Sequence, residues 1–303
     1  MISVIVCTYN RDKYLYGALQ RIAENGFPNE EYEIVLVNNL STDNTEAECR
    51  RFEADYPAVD FRYFLEDKQG LSFARNRGIE ESKGETLVFL DDDSYIHEGY
   101  LRHLQQRLTE YPDAAAFGGK INPAFESGEA PKWLSKWNYS WVSAIDMGDK
   151  VCAFKGKAFP IGANMGIRRQ CFAQVGLFNT ELGRTGDKLL GGEEKDLFNR
   201  LKEKGMEILY FPDVEVEHII PPQRTTRDYI VRMAHGVGVS ERQRTKNLSN
   251  RKYRQRILQE AVKWGGTLLL WLGFALTGQF EKGNSLVLFR KNVTAGLLGK
   301  TES

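Results

Sequence analysis

Four cysteines are scattered through this 303-residue chain, at Cys7, Cys49, Cys152 and Cys171, and no two of them share a CxxC spacing. Neither a disulfide framework nor a thiolate zinc site is suggested, and Cys7 and Cys171 read as small buried groups. Net charge is also lacking, because 41 basic residues meet 41 acidic ones. No charge-free stretch comfortably reaches spanning length: Trp264 to Phe280 is uncharged, but as a helix it would extend only about 25 Å, the short limit for a bilayer. Nor is there an amino-terminal h-region. Met1 leads straight into Ile2-Ser3-Val4-Ile5-Val6, which is too short for a signal peptide and reads as a first strand. The expectation is a catalytic part in a reducing cytoplasm.

What is present is a core-forming chain, 42% hydrophobic, with strands and helices in alternation. Ile2–Val6, Tyr32–Val37 and Phe61–Phe64 read as strands. Asp12–Asn25, a segment from the polar loop at Asn38 to about Tyr56, and one opening near Lys68 read as helices. Such alternation predicts parallel β-α-β units. The stretch that organises them is Leu87-Val88-Phe89-Leu90-Asp91-Asp92-Asp93-Ser94. A short apolar run predicts a buried strand. Three adjacent carboxylates at its end repel one another and call for a cation. Mg²⁺ or Mn²⁺ is commonly held by carboxylates together with substrate phosphates, and ligands of open α/β sheets sit beyond the carboxyl ends of the strands. Asp91 and Asp93 are therefore read as a metal–diphosphate site. The plainer alternative is a solvated acidic turn.

Four segments in order carry a family resemblance: Val4-Ile5-Val6-Cys7-Thr8-Tyr9-Asn10-Arg11, Ser41-Thr42-Asp43-Asn44-Thr45, Ala74-Arg75-Asn76-Arg77-Gly78 and Leu90-Asp91-Asp92-Asp93. Their order and spacing resemble glycosyltransferase family 2 across roughly the first two-thirds of the chain. The resemblance implies a GT-A fold, a mostly parallel nucleotide-binding sheet flanked by helices. It also implies inverting transfer of a sugar from a nucleotide-sugar donor. It would place Thr8, Tyr9, Asn10, Arg11, Asn38 and Asn39 about the nucleotide, with Arg75, Asp91 and Asp92 nearby and Asp91 and Asp93 on the metal. The family often carries aspartate where this chain has Asn38-Asn39. An amide offers a donor as well as an acceptor and no charge, so the base is left open, and simple turn chemistry is an alternative role for both residues.

Further along, Trp133, Trp137 and Trp141 are spaced four apart. A helix would bring them to one side, either packed on the core or forming an aromatic platform for a sugar or a lid near lipid. Phe159 to Arg169, containing Asn164, resembles the family segment that lines the donor sugar and acceptor cleft, and its glycines would let backbone approach a ligand. In the glycine-rich connector 182–192, Arg184 and Lys188 are candidates to close over a diphosphate; an ordinary solvated loop is the alternative. Glu193-Glu194-Lys195-Asp196 opens a helix, where the dipole favours acids. The resemblance sets Glu194 at the family's catalytic aspartate, as the base that takes a proton from the acceptor hydroxyl. Glu193 and Asp196 are the rival candidates, and Glu193 is also a candidate substrate contact. His218 ends an alternating strand. Several members of the family have a histidine ligand there, and an imidazole beside two carboxylates suits Mn²⁺.

The last third changes character. From Arg224 to Lys263 eleven basic residues face three acidic ones, a net of +8, and the uncharged 264–280 follows directly. Bases beside an apolar helix are drawn to anionic headgroups. The expectation is an extension over 221–303 after a catalytic domain over 1–220. It would meet the cytoplasmic face of a membrane through 224–280, or else a second subunit. No nucleic-acid motif accompanies the basic run. The reading as a whole is a metal-assisted glycosyltransferase with a glycan or lipid-linked acceptor. A nucleotidyltransferase on the same sheet, or a non-catalytic sugar-nucleotide or membrane-binding module, is the alternative.

Overall fold

The computed structural model describes residues 1–185 and 191–300. The first part is the expected alternation: β1 (Ile2–Thr8), α1 (Asp12–Ala23), β2 (Tyr32–Asn38), α2 (Thr45–Asp55), β3 (Phe61–Leu65), α3 (Leu71–Glu81) and β4 (Thr86–Asp91). The strands β1, β2 and β4 are largely apolar on both faces because helices cover both. Val4, Val6, Ile34, Leu36, Val88 and Leu90 point to the side of α1 and α2. Ile5, Val35, Val37, Leu87 and Phe89 point to the other, where α3 packs.

The remaining elements of this unit are β5 (Ser94–Ile96), α4 (Tyr100–Glu110), β6 (Ala116–Phe125), β7 (Cys152–Ala153), β8 (Met165–Arg168), α5 (Arg169–Val175), α6 (Glu193–Glu203) and β9 (Ile208–Ile220). The sheet runs β3-β2-β1-β4-β8-β6-β9-β5, with β7 on β9. The strands β3, β2, β1 and β4 are parallel. Beyond β4 the recorded pairings turn antiparallel, so the sheet is mixed and its parallel part is the first four strands. The alternating strand expected to end at His218 is β9, which runs from Ile208 through Pro212 to Ile220. On the edge of β9 shared by β7 and β5, Pro212 falls between the residues that pair β7, Leu209 and Tyr210, and those that pair β5, Val216 to His218, where a missing N–H breaks no ladder bond.

The chain divides into two compact units. One comprises Met1–Ala124, Ser143–Glu181 and Glu193–Ile219. The other takes Phe125–Val142, the described residues of Leu182–Gly192, and the chain from Ile220 onward. The expected extension thus also includes two earlier segments. Its helices are α7 (Arg227–Leu248), α8 (Asn250–Leu276) and α9 (Phe280–Leu298). The basic run and the uncharged stretch are not separate elements, since α8 carries the end of one into the other. Among the described residues no helix is long and apolar enough to cross a membrane.

Within this second unit α7 and α9 touch at backbone distance. A Cβ on Gly238 would meet the Val293 carbonyl and lie 2.7 Å from the Leu297 amide nitrogen, and one on Gly296 would meet the His235 carbonyl. Part of the basic run is structural: buried Arg256 binds Glu241 at 2.8 Å and Glu260 at 2.6 Å, and Arg290 binds Glu260 at 2.9 Å. The tryptophan segment is not an α-helix, only turns and a short 3₁₀ stretch at Tyr139–Val142. Buried Asn138 organises it, accepting from the Ser135 amide at 2.7 Å and donating to the Trp133 carbonyl at 3.1 Å. Trp141 stacks on Phe289 with centroids 4.2 Å apart, Trp133 lies 5.8 Å from Trp141, and Trp137 remains 54% exposed.

Candidate active site

The carboxyl ends of β1, β2 and β4 converge. Asn10 holds a positive φ of 53°, which asparagine tolerates better than most residues. That turn directs its Oδ1 to accept from the Thr42 amide at 2.7 Å, while its own amide donates to Ser41 Oγ at 3.0 Å. Asp12 accepts from the Asn44 amide, and Asp43 from the Asp12 amide. The loops after β1 and β2 are latched together by reciprocal bonds. Thr8 is buried beside them, and Tyr9 and Arg11 are partly exposed.

The two asparagines differ. Asn38 Nδ2 donates to the Tyr63 hydroxyl at 2.8 Å, and its Oδ1 accepts from the Ser41 amide. Asn39 Nδ2 donates to the Glu66 and Lys68 carbonyls, and its Oδ1 accepts from the Gly70 amide at 2.6 Å. Asn39 thus bonds backbone with both ends of its amide. Asn164 is a second such case. Wholly buried, it accepts from the Tyr100 hydroxyl at 2.7 Å and donates to the Val214 and Lys120 carbonyls. These bonds tie Asn164 to α4, β6 and β9.

Asp91 ends β4 with a third of its side chain exposed, whereas Asp92 and Asp93 are buried. Burial raises the Asp92 carboxyl to about 7, and the neighbouring Asp93 adds to the rise. The pairing of β5 with β9 sets His218 opposite Ser94, which brings His218 Nε2 to 3.0 Å from Asp93 Oδ1. Ligand atoms of Asp91, Asp93 and His218 all lie within 4.8 Å of one another. Arg11 approaches Asp93 at 3.4 Å. Two carboxylates and an imidazole at this separation are a donor set suited to a divalent cation.

Arg75 joins this acid cluster to α6. Its guanidinium donates to Glu193 and to Glu194 Oε1, each at 3.0 Å, and stands 3.9 Å from Asp91. The Phe178 ring backs it, with the centroid 5.3 Å away. Burial pulls the Arg75 guanidinium toward neutrality, but the Glu194, Glu193 and Asp91 carboxylates overcome that and raise its pKa. Glu194 Oε1 also accepts from the Gly162 amide at 2.9 Å, which leaves Oε2 to take a proton. Burial lifts the Glu194 carboxyl to about 7 against the pull of Arg75, and Glu193 reinforces the rise. Asp196 is turned away, bound to Arg200 at 3.0 Å.

Sequence reasoning missed the role of Gly162. Its close approach is to Arg75 and Glu194, which a Cβ there would strike; the glycine within Phe159–Arg169 was the available signal, read toward a ligand. Arg184 is an exposed residue of the other unit, and Lys188 lies outside the described residues.

A sequence model described as Glycosyl transferase family 2 matches residues 3–176. The chain is 26% identical over 249 residues to a glucosyl-dolichyl phosphate glucuronosyltransferase of Haloferax volcanii, covering 80% of this chain and 76% of that protein. It is 33% identical over 111 residues to a GalNAc(5)-diNAcBac-PP-undecaprenol beta-1,3-glucosyltransferase of Campylobacter jejuni, covering 36% of this chain and 35% of that one. Among solved structures it is similar to the mannosyltransferase PcManGT from Pyrobaculum calidifontis in complex with GDP-Man and Mn²⁺. The TM-score is 0.64 at 16% identity, over 99% of this chain and 88% of that one. S. aureus TarS 1–349 in complex with UDP-GlcNAc gives a TM-score of 0.57 at 16% identity, over 100% and 93% of the two chains. The structural likenesses show a shared fold, the GT-A arrangement. With the family match spanning more than half its length, the chain belongs to glycosyltransferase family 2.

Proposed function

We propose that this chain transfers a sugar, with inversion, from a nucleoside-diphosphate sugar to a hydroxyl of a lipid-linked glycan, at the cytoplasmic face of a membrane. The observation that carries the reading is Arg75, which ties the carboxylate of Glu194 to the acidic end of β4 through one guanidinium. A base and a diphosphate site must lie together for an in-line displacement at the anomeric carbon. Glu194 Oε2 accepts the acceptor's hydroxyl proton as the oxygen attacks. Gly162 and Arg75 fix the carboxylate's orientation through Oε1. Asp91, Asp93 and His218 would hold Mn²⁺ or Mg²⁺, which when bound supplies positive charge against the departing diphosphate. Arg11 and Arg75 add charge of the same sign. The names of the H. volcanii and C. jejuni relatives, one acting on a dolichyl phosphate and one on an undecaprenol-linked glycan, support the choice of acceptor.

Titration with UDP, GDP, dTDP and CDP, with and without Mn²⁺, is expected to show metal-dependent binding of one of them and so to name the donor's base. Replacing Glu194 with Gln should slow transfer by roughly 10²–10⁴-fold, the range for loss of a general base, with nucleotide affinity nearly unchanged. Full activity in E194Q, or no nucleotide bound by folded protein, would overturn the reading.

A further inference from the structure

The second unit contains a cleft of about 690 Å³ between the 130–139 segment and the end of α8 with the start of α9. Lys132, Lys136 and Lys282 line it together with Trp137, Tyr139 and Phe274, and no carboxylate does. Three ammonium groups round one opening repel one another unless an anion is shared between them. Among the described residues none of the three pairs with an acid. Lys282 donates to Gln279 at 2.7 Å, and Lys136 lies 5.3 Å from the Trp137 ring. Trp137 and Tyr139 are 54% and 41% exposed, an unusual cost in uncovered apolar area for large aromatic rings. Beside the cleft in sequence, Leu272, Leu276 and Phe280 are exposed as well. An occupant that satisfies all of this has a phosphate head and an apolar chain.

We propose that this cleft binds the phosphate or diphosphate and first isoprene units of a polyprenyl-linked acceptor. The lysines take the phosphate oxygens. Trp137, Tyr139 and Phe274 take the start of the chain, and the exposed leucines continue the apolar path toward lipid. The proposal rests on the lipid-linked acceptor of the preceding section and says which residues select it.

The test is calorimetric titration of the full chain with farnesyl diphosphate, inorganic pyrophosphate and phosphatidylglycerol vesicles. EDTA is present so that no divalent cation recruits a diphosphate to the acidic site. The comparison protein carries Lys132→Gln, Lys136→Gln and Lys282→Gln, at exposed or half-exposed positions, and its thermal unfolding is measured beside the parent's to show that the fold is kept. Farnesyl diphosphate should bind at least about tenfold more tightly than pyrophosphate, and the triple variant should lose about tenfold or more while nucleotide binding with metal is unchanged. Equal affinity for pyrophosphate would reduce the cleft to an anion site and overturn the proposal. So would an unaltered triple variant, or binding to the vesicles with none to farnesyl diphosphate. Binding is read without turnover, so failure of E194Q to behave as a base mutant would strike the catalytic reading and leave this one to stand or fall separately.

Discussion

Glu194 is set between two opposing influences, and its pH behaviour follows. Burial holds its carboxyl at about 7 while Arg75 pulls it down. A base acts only when ionised, so kcat/KM should climb with pH at unit slope below about 7 and level off above it. Replacing Arg75 with Gln removes the lowering charge and should move that midpoint upward, besides costing rate. A profile already flat at pH 5.5 would contradict the assignment. At this scale the sequence was readable where chemistry forces residues to be neighbours: Asp91 and Asp93, or Glu193 and Glu194, announce themselves by adjacency. It was unreadable where polar side chains serve the backbone. Asn39 faces two carbonyl oxygens and one amide. An aspartate would set its charge against those two oxygens, which accounts for asparagine where the family often has an acid. Nothing in the residue name distinguishes that duty, or the one Asn164 performs, from ligand binding.

Among elements, the strands and helices up to β4 fall close to where apolar periodicity puts them, because each is covered on predictable faces. The tryptophan segment does not, since its spacing fits a helix but Asn138 spends its side chain closing a turn. The crossing of α7 on α9 was also hidden. It depends on Gly238 and Gly296, which in sequence look like helix-weakening residues. Gly238→Ala should therefore destabilise although alanine favours helix, by about 1–3 kcal/mol from overpacking. Thermal unfolding would show a fall of several degrees; an unchanged or raised midpoint would mean that the helices part without cost.

Across the whole molecule the charges are balanced but unevenly placed. The only acid of α8, Glu260, is buried between Arg256 and Arg290, so the exposed side of α8 carries bases in its first half and Leu268, Leu269, Leu272 and Leu276 in its second. A surface so divided fits an anionic bilayer met from one side. Vesicles containing phosphatidylglycerol should float the chain, high salt should weaken the effect, and Leu269→Gln with Leu276→Gln should cut partitioning by about tenfold or more. Equal flotation by the variant would assign those leucines to another partner. The second unit also has a history imposed by its chain order. Trp141 stacks on Phe289, a residue made 148 positions later. At a synthesis rate of about 5–20 residues per second, the indole waits roughly 7–30 seconds for its cover. During that interval the nascent chain carries Trp141 without the ring that stacks on it in the folded unit, so the aromatic cluster can close only after nearly the whole chain has been made.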